Sequence, residues 1–138
     1  VRLPRGQVEA EVYEADVSIC SALGRERDCI KYIRPPYGNT NESVAQVVGR
    51  PMIGWNIDTE DWKSRNPEEI KRRAMEMARD SAVLLMHDIY ETTVDAVGPI
   101  IDAYRENGYE FVTISELIEI RGDKLDAGVM YGRFEPRF

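Results

Sequence analysis

Three short segments carry the side chains that could do chemistry, and each follows an apolar stretch. They are residues 34–38 (RPPYG), residues 58–63 (DTEDWK) and the pair His87 and Asp88, and His87 is the single histidine of the 138-residue chain. An unperturbed imidazole titrates near pH 6.5, so it can hold and release a proton around neutrality. Combined with carboxylates, a guanidinium and an indole, it indicates acid–base chemistry on a bound ligand.

Helices and apolar strands alternate along the chain and must position these segments. Helical periodicity and capping residues predict helices over residues 7–23, from the N-cap Asn39 to Gly49, from the N-cap Asn66 to Ala78, over 93–107, and from Thr113 to about Ile120. Apolar runs predict strands over 29–33, 51–57, 82–86 and 109–114.

A strand followed by a helix, four times over, predicts an α/β fold with parallel strands and right-handed crossovers. Four such units do not close a barrel, so the expected sheet is either open or part of a larger (β/α) barrel. In both cases the carboxyl ends of the strands lie at one rim, where ligands bind. We therefore expect the three segments to meet there.

Composition and charge exclude several classes of partner. The net charge is −7, and Lys and Arg are interspersed with acids, which disfavours nucleic acid. No apolar stretch approaches the roughly 20 residues that span a bilayer. Cys20, Cys29 and one histidine cannot assemble a zinc site from this chain alone. A disulfide between the two cysteines is possible, but nothing in the sequence supports it, and two half-buried thiols are the commoner case.

The segments RPPYG, DTEDW and LLMHD, in this order and about 25 residues apart, resemble the third, fourth and fifth motifs of the NodB-type polysaccharide deacetylases. The resemblance covers residues 32–120. The stretches HDIYETT and GYEFVTISEL are most similar to the peptidoglycan N-acetylglucosamine deacetylases of that family. The resemblance to this family implies that residues 1–121 are the C-terminal portion of a catalytic domain with a distorted (β/α) barrel. It also implies that residues 122–138 are an irregular tail.

Two further motifs of the family have no counterpart in this sequence. They are an Asp-Asp pair, which supplies the catalytic base and one metal ligand, and a His-x-x-x-His that supplies two more ligands. The resemblance therefore implies a divalent metal, zinc or cobalt, in the complete domain, with its ligands outside this chain. We expect the missing N-terminal half or a second copy to cover the open edge, and the chain alone to associate or aggregate and to be inactive.

The resemblance assigns three catalytic residues. His87 is the expected general acid, and Asp61 is the carboxylate that favours its protonated form in a partly dehydrated cleft. Arg34 resembles the motif arginine that pairs with the missing base aspartate. Asp88 is expected to point to the opposite face and to have a structural role. Asp58 could bind either Arg34 or a loop amide.

Four more residues are expected to contact the substrate. Pro35 and Pro36 lack N–H groups, so the amide N–H of Tyr37 is the first backbone donor after them and the expected oxyanion donor. Trp62 and Leu85 are expected to form the wall of a small pocket for the acetyl methyl, although Leu85 could equally be a core residue.

The predicted function is metal-dependent hydrolysis of N-acetyl groups on an amino-sugar polysaccharide, either peptidoglycan or chitin-like. That substrate places the protein outside the cell or in the cell envelope. A noncatalytic carbohydrate-binding remnant of such a domain is the alternative. A small signalling module of the receiver type is disfavoured, because no acidic cluster follows the first predicted strand.

Overall fold

The structure is a computed structural model that describes residues 3–26, 29–132 and 134. The helices and strands, in chain order, are α1 (Arg5–Ala22), α2 (Glu42–Val48), β1 (Met52–Ile53), β2 (Ile57–Asp58), α3 (Asp61–Ser64), α4 (Pro67–Glu76), β3 (Leu84–Leu85), α5 (Glu91–Glu106), α6 (Ile114–Arg121) and β4 (Met130–Tyr131). Every strand pair among the described residues is parallel, and helices lie between β2 and β3 and between β3 and β4, so the α/β class is confirmed. None of these helices has an apolar stretch that could cross a membrane.

The chain divides into two compact units. The first comprises Val1–Gly54 and Lys124–Tyr131, and the second comprises Trp55–Asp123 and Gly132–Phe138. The first unit thus combines an N-terminal segment with a stretch close to the C-terminus. Each unit has its own buried cluster of apolar side chains.

The first unit packs α1 and α2 against β1. Its core consists of Val8, Val44, Val48 and Met52. β1 pairs with β4, with Met52 opposite Met130. These contacts remove apolar surface from water, which is the main driving force for the packing.

Two further links hold α1 in the first unit. Asp16 on α1 accepts two hydrogen bonds from the Arg50 guanidinium, at 2.6 and 2.7 Å. Cys20 and Cys29 form a disulfide, so they are not the two free thiols that the sequence also allowed. The bidentate ion pair is largely buried, and such pairs are geometrically specific.

Several expectations for the first unit are wrong in detail. The strand predicted over residues 29–33 is reduced to a single bridge between Ile33 and Met52. The N-cap of α2 is Asn41, whose side chain accepts from the Val44 N–H at 2.9 Å, rather than Asn39. Asn39 ends the preceding 3₁₀ turn, Pro36–Gly38, because its own N–H donates to the Pro36 carbonyl.

The C-terminal segment also differs from its prediction. Residues 122–138 were expected to be irregular, but Met130–Tyr131 form β4. A strand of two residues is too short to show an alternating pattern, and pairing with β1 is what defines it. Residues 133 and 135–138 of the predicted tail lie outside the described residues, and the predicted boundary at residue 121 stays a prediction.

The second unit pairs β2 with β3 and packs α4 against α5. Asp58 on β2 lies opposite Leu85 on β3 in the parallel register. Ile70 of α4 and Ile100 of α5 belong to one buried cluster. The Tyr104 hydroxyl donates to the Ala74 carbonyl at 2.8 Å and links the same two helices.

Two helices of this unit start as their capping residues predict. The Asn66 side chain accepts from the N–H groups of residues 68 and 69, and Pro67 occupies the first helical position of α4. The Glu69 carboxylate binds Arg72 instead of closing a capping box. α6 begins after Thr113 as predicted, with a capping box between Thr113 and Glu116.

Other expectations for the second unit are corrected by the structure. Residues 109–113 form no strand, because no described strand pairs with them. The strand predicted over 51–57 is divided into β1 and β2. Helical spacing predicts an apolar stripe of Val94, Val97, Ile101 and Tyr104 with a restart or kink at Pro99, but α5 runs through Pro99 without a break and buries a different face. That face consists of Thr93, Ala96, Ile100 and Tyr104.

Candidate active site

Asp61 is the centre of the hydrogen-bond network that follows the ends of β2 and β3. Its side chain is 0% exposed. Oδ1 lies 2.8 Å from His87 Nδ1 and also accepts from the Trp62 N–H at 2.9 Å. Oδ2 accepts from the His87 backbone N–H at 2.6 Å and from the Thr93 hydroxyl at 2.8 Å. The predicted contact between Asp61 and His87 is therefore present.

The network keeps the buried carboxyl ionised. Burial by itself raises the pKa of Asp61, since it penalises the charged form. Hydrogen bonds from the His87 ring, the His87 backbone N–H and the Thr93 hydroxyl outweigh burial and lower the pKa below its ordinary value. An ionised carboxylate can only accept a hydrogen bond, so His87 carries a hydrogen on Nδ1 and donates it to Asp61.

The sequence between β2 and α3 places Asp61 at this point. The buried Thr59 hydroxyl donates to the Leu85 carbonyl at 2.9 Å and connects the end of β2 to β3. Asp58 accepts from the Glu60 N–H at 2.9 Å, so a loop amide is the partner found for Asp58. Glu60 has a left-handed backbone with φ of 49°, and the chain then enters α3 at Asp61.

His87 follows β3 and is only partly buried, with 37% of its side chain exposed. Because Nδ1 faces Asp61, Nε2 is the ring nitrogen directed to other partners. Asp88, the next residue, is exposed. An imidazole that is oriented on one side by a buried charge and open on the other has the arrangement of a proton donor or acceptor.

Trp62 and Leu85 belong to the same unit as His87. Trp62 is the second residue of α3, and its side chain is 49% exposed. Leu85 lies on β3 and is partly buried. Their expected role in an acetyl pocket stays a prediction.

Arg34, Pro36 and Tyr37 belong to the first unit. The Arg34 guanidinium donates to the carbonyls of Ile53 and Gly54 at 3.0 and 2.9 Å, which ties it to the end of β1, and burial lowers the pKa of Arg34. Pro36 is exposed, and Tyr37 has a left-handed backbone with φ of 58° and a side chain that is 92% exposed. The roles predicted for these three residues stay predictions.

Thr93 is a site residue that the sequence interpretation missed. It lies in the first turn of α5 and is almost completely buried. It occupies the buried face of α5 together with Ala96 and Ile100. A threonine in an otherwise apolar helical stripe was the available signal, because a buried hydroxyl needs a hydrogen-bond partner.

The described residues do not form a metal centre. Among residues 3–26, 29–132 and 134, no three His, Cys, Asp or Glu side chains are grouped so that they could hold a metal ion. Cys20 and Cys29 are bonded to each other, and His87 Nδ1 faces Asp61. We therefore derive no chemical step through a metal from these residues.

Comparison with protein-family models gives no match. Among known proteins, the peptidoglycan-N-acetylglucosamine deacetylase PgdA of Listeria monocytogenes is 44% identical to this chain over 99 residues, which are 72% of the chain and 21% of the relative. The chain thus spans about a fifth of the length of that relative.

Solved structures match a larger share of the chain. A T48 deacetylase, solved with substrate, is 32% identical with a TM-score of 0.85, over 94% of this chain and 63% of that one. A family 4 acetyl xylan esterase from Clostridium thermocellum, solved with a cobalt ion, is 25% identical with a TM-score of 0.85, over 96% of this chain and 66% of that one. On the order of its motifs, its parallel α/β fold and these similarities, the chain belongs to the NodB-type polysaccharide deacetylases and corresponds to a C-terminal part of their catalytic domain.

Proposed function

We propose that this chain contributes the general acid to the hydrolysis of N-acetyl groups on an amino-sugar polysaccharide. The observation that carries the proposal is the contact between the buried Asp61 carboxylate and Nδ1 of the partly exposed His87. An imidazole whose Nδ1–H donates to a carboxylate can carry a second proton on Nε2 in its imidazolium form. In that form Nε2 bears the proton that a leaving group needs.

Hydrolysis of an N-acetyl group replaces the carbon–nitrogen bond of the amide by a carbon–oxygen bond to water. As the carbon–nitrogen bond breaks, its electron pair stays on nitrogen. The Nε2 proton of His87 moves to that nitrogen, so the sugar leaves as an amine and the acetyl group leaves as acetate. Protonation matters because, without it, the nitrogen would leave as a strongly basic anion, which is a very poor leaving group. Asp61 keeps its hydrogen bond to Nδ1 throughout and stabilises the charged ring.

The remaining residues have supporting roles in the proposal. The Tyr37 N–H donates to the oxyanion that forms on the acetyl carbonyl, Pro36 restricts the backbone before it, and Arg34 orients the base. Trp62 and Leu85 contact the acetyl methyl. The base that activates water and the ligands for a divalent metal, zinc or cobalt, come from a polypeptide segment other than the described residues.

The proposed substrate is peptidoglycan, with chitin-like polymers as the second choice. The support comes from the Listeria relative, whose name gives peptidoglycan N-acetylglucosamine as its substrate. Peptidoglycan places the protein in the cell envelope or outside the cell. The disulfide between Cys20 and Cys29 supports this location, because disulfides persist in oxidising compartments.

The proposed partner completes the domain at the second unit. A cavity of about 640 Å³ lies between residues 79–84, the unpaired segment 108–112 and α6. Phe111, Val112 and Ile120 are exposed apolar side chains in its lining. A segment that pairs with no described strand and lies beside an apolar cavity is a site where a further strand can add. The missing N-terminal half of the domain is the proposed occupant, and a second copy of this chain is the alternative.

The test combines this chain with a polypeptide that supplies an Asp-Asp pair and a His-x-x-x-His. We expect the combination to release acetate from N-acetylglucosamine oligomers when zinc or cobalt is added, and each component alone to release none. Binding of the oligomers without acetate release under any metal would contradict catalysis. It would favour the noncatalytic carbohydrate-binding alternative.

A further inference from the structure

Arg65 has a fixed position at the end of α3. Its backbone is left-handed with φ of 48°, a conformation that side-chain-bearing residues adopt rarely. Its Nε donates to the Trp62 carbonyl at 2.8 Å. Its guanidinium carbon lies 3.4 Å from the centre of the Tyr90 ring, a cation–π contact. These constraints orient the two terminal nitrogens of the guanidinium.

The charge of Arg65 is not neutralised within the described part of the chain. Three cations of α3 and α4 pair with carboxylates: Lys63 and Arg73 with Glu60, and Arg72 with Glu69 and Glu76. Arg65 forms no ion pair with any described residue. Arg65 therefore combines an oriented guanidinium with a charge that no described carboxylate neutralises.

Arg65 is connected to the proposed proton donor through Tyr90. The Tyr90 ring that it covers is 6.3 Å from the His87 ring, centre to centre. The backbone carbonyl that it binds belongs to Trp62, the proposed wall of the acetyl pocket. A polysaccharide bound at His87 therefore has its neighbouring substituents close to this guanidinium.

We propose that Arg65 forms a carboxylate-binding subsite that makes the site prefer an anionic amino-sugar polymer to a neutral one. This inference rests on the proposed function, because it places the polymer at His87. The terminal nitrogens Nη1 and Nη2 donate to the two oxygens of a carboxylate, a planar bidentate contact that a lysine ammonium cannot reproduce. Carboxylates occur on muramic acid and its attached peptides, whereas chitin has none.

The experiment compares two ligands that differ in one charge. The first is a disaccharide of N-acetylglucosamine and N-acetylmuramic acid with a free lactyl carboxylate, and the second is the same disaccharide with that carboxylate converted to a methylamide. Calorimetry gives the affinity of each for the full chain and for the variants Arg65→Gln, Arg65→Lys and Arg72→Gln. Arg72→Gln is the matched control, because it removes the same charge from an arginine that already pairs with Glu69 and Glu76.

We expect the unmodified chain to bind the free carboxylate roughly tenfold more tightly than the amide, the effect of one charge-assisted contact. Arg65→Gln should remove this preference, Arg65→Lys should restore only part of it, and Arg72→Gln should retain it. The subsite would be overturned if the unmodified chain bound both disaccharides equally or bound neither measurably. It would also be overturned if Arg72→Gln lost the preference for the carboxylate as fully as Arg65→Gln.

The two proposals fail in distinguishable ways. The subsite is read from binding, whereas the role of His87 is read from turnover. In combination with the polypeptide that supplies the metal-binding motifs, a His87→Ala variant that keeps the carboxylate preference and loses acetate release supports both. A variant that keeps acetate release removes only the role of His87, because the preference for the carboxylate is measured independently.

Discussion

Asp61 accepts two hydrogen bonds from His87, one from the backbone N–H at 2.6 Å and one from ring Nδ1 at 2.8 Å. Asp61 begins α3 after β2, and His87 follows β3, so the contact joins the segments that follow two paired strands. The backbone bond fixes the position of His87, and the ring bond fixes its orientation. A fully buried charge thus controls an imidazole that reaches solvent.

Acid should destabilise the second unit through Asp61. Because the pKa of Asp61 is lowered in the folded state, its contribution to stability is complete above the unfolded pKa of about 3.9 and is lost as pH falls through the folded pKa. Asp61→Asn should be less stable at neutral pH and lose less stability in acid. Urea unfolding at several pH values between about 2 and 7 measures how the free energy of unfolding of each protein depends on pH. Parallel stability curves for the two proteins would rule out this contribution.

Thr93→Val should destabilise the second unit by about 1.5–3 kcal/mol, since the buried Asp61 carboxylate loses a donor. Thr93→Ser retains the hydroxyl and should recover most of that loss. Thr92→Val is the matched control: the Thr92 hydroxyl is buried without a hydrogen-bond partner among the described residues, so its removal should cost less than about 0.5 kcal/mol. If urea unfolding showed the same loss of stability for Thr92→Val and Thr93→Val, the hydrogen bond from Thr93 to Asp61 would make no measurable contribution.

Opening the Cys20–Cys29 disulfide should lower the free energy of unfolding by about 2.5 kcal/mol, because the bond restricts a short loop in the unfolded chain. Unfolding with and without a reducing agent tests this. The double variant Cys20→Ser, Cys29→Ser should behave like the reduced protein and should not respond to the reductant. An unchanged midpoint after reduction would mean that the bond adds nothing to stability.

Local sequence signals predicted the features that depend on neighbouring residues. The cap at Asn66 with Pro67, and the box between Thr113 and Glu116, are satisfied within a single helical turn. Such contacts are encoded by residues two or three positions apart. The pairing of Asp61 with His87 is different, since 26 positions separate the residues, and it followed from the family resemblance and the rule that strand ends meet at one rim.

Features that depend on distant partners were not predictable in the same way. The segment 109–113 has the apolar composition of a strand, yet a strand exists only when another chain segment pairs with it. β4 was missed for the converse reason, because its two residues are defined by β1. On α5 two apolar stripes one position apart compete, and packing against α4 selects the one that contains Thr93. Only that choice brings the Thr93 hydroxyl to Asp61.

The role of His87 is tested most directly by His87→Ala in the protein that combines this chain with the metal-binding motifs. Asp88→Ala is the matched control, because Asp88 adjoins His87 in sequence and is exposed. Turnover of N-acetylglucosamine oligomers, measured as acetate release, should fall by about 10²–10⁴-fold in His87→Ala, with metal content unchanged, and should stay near the unmodified value in Asp88→Ala. A His87→Ala protein that keeps most of its turnover would contradict the assignment of His87 as the general acid.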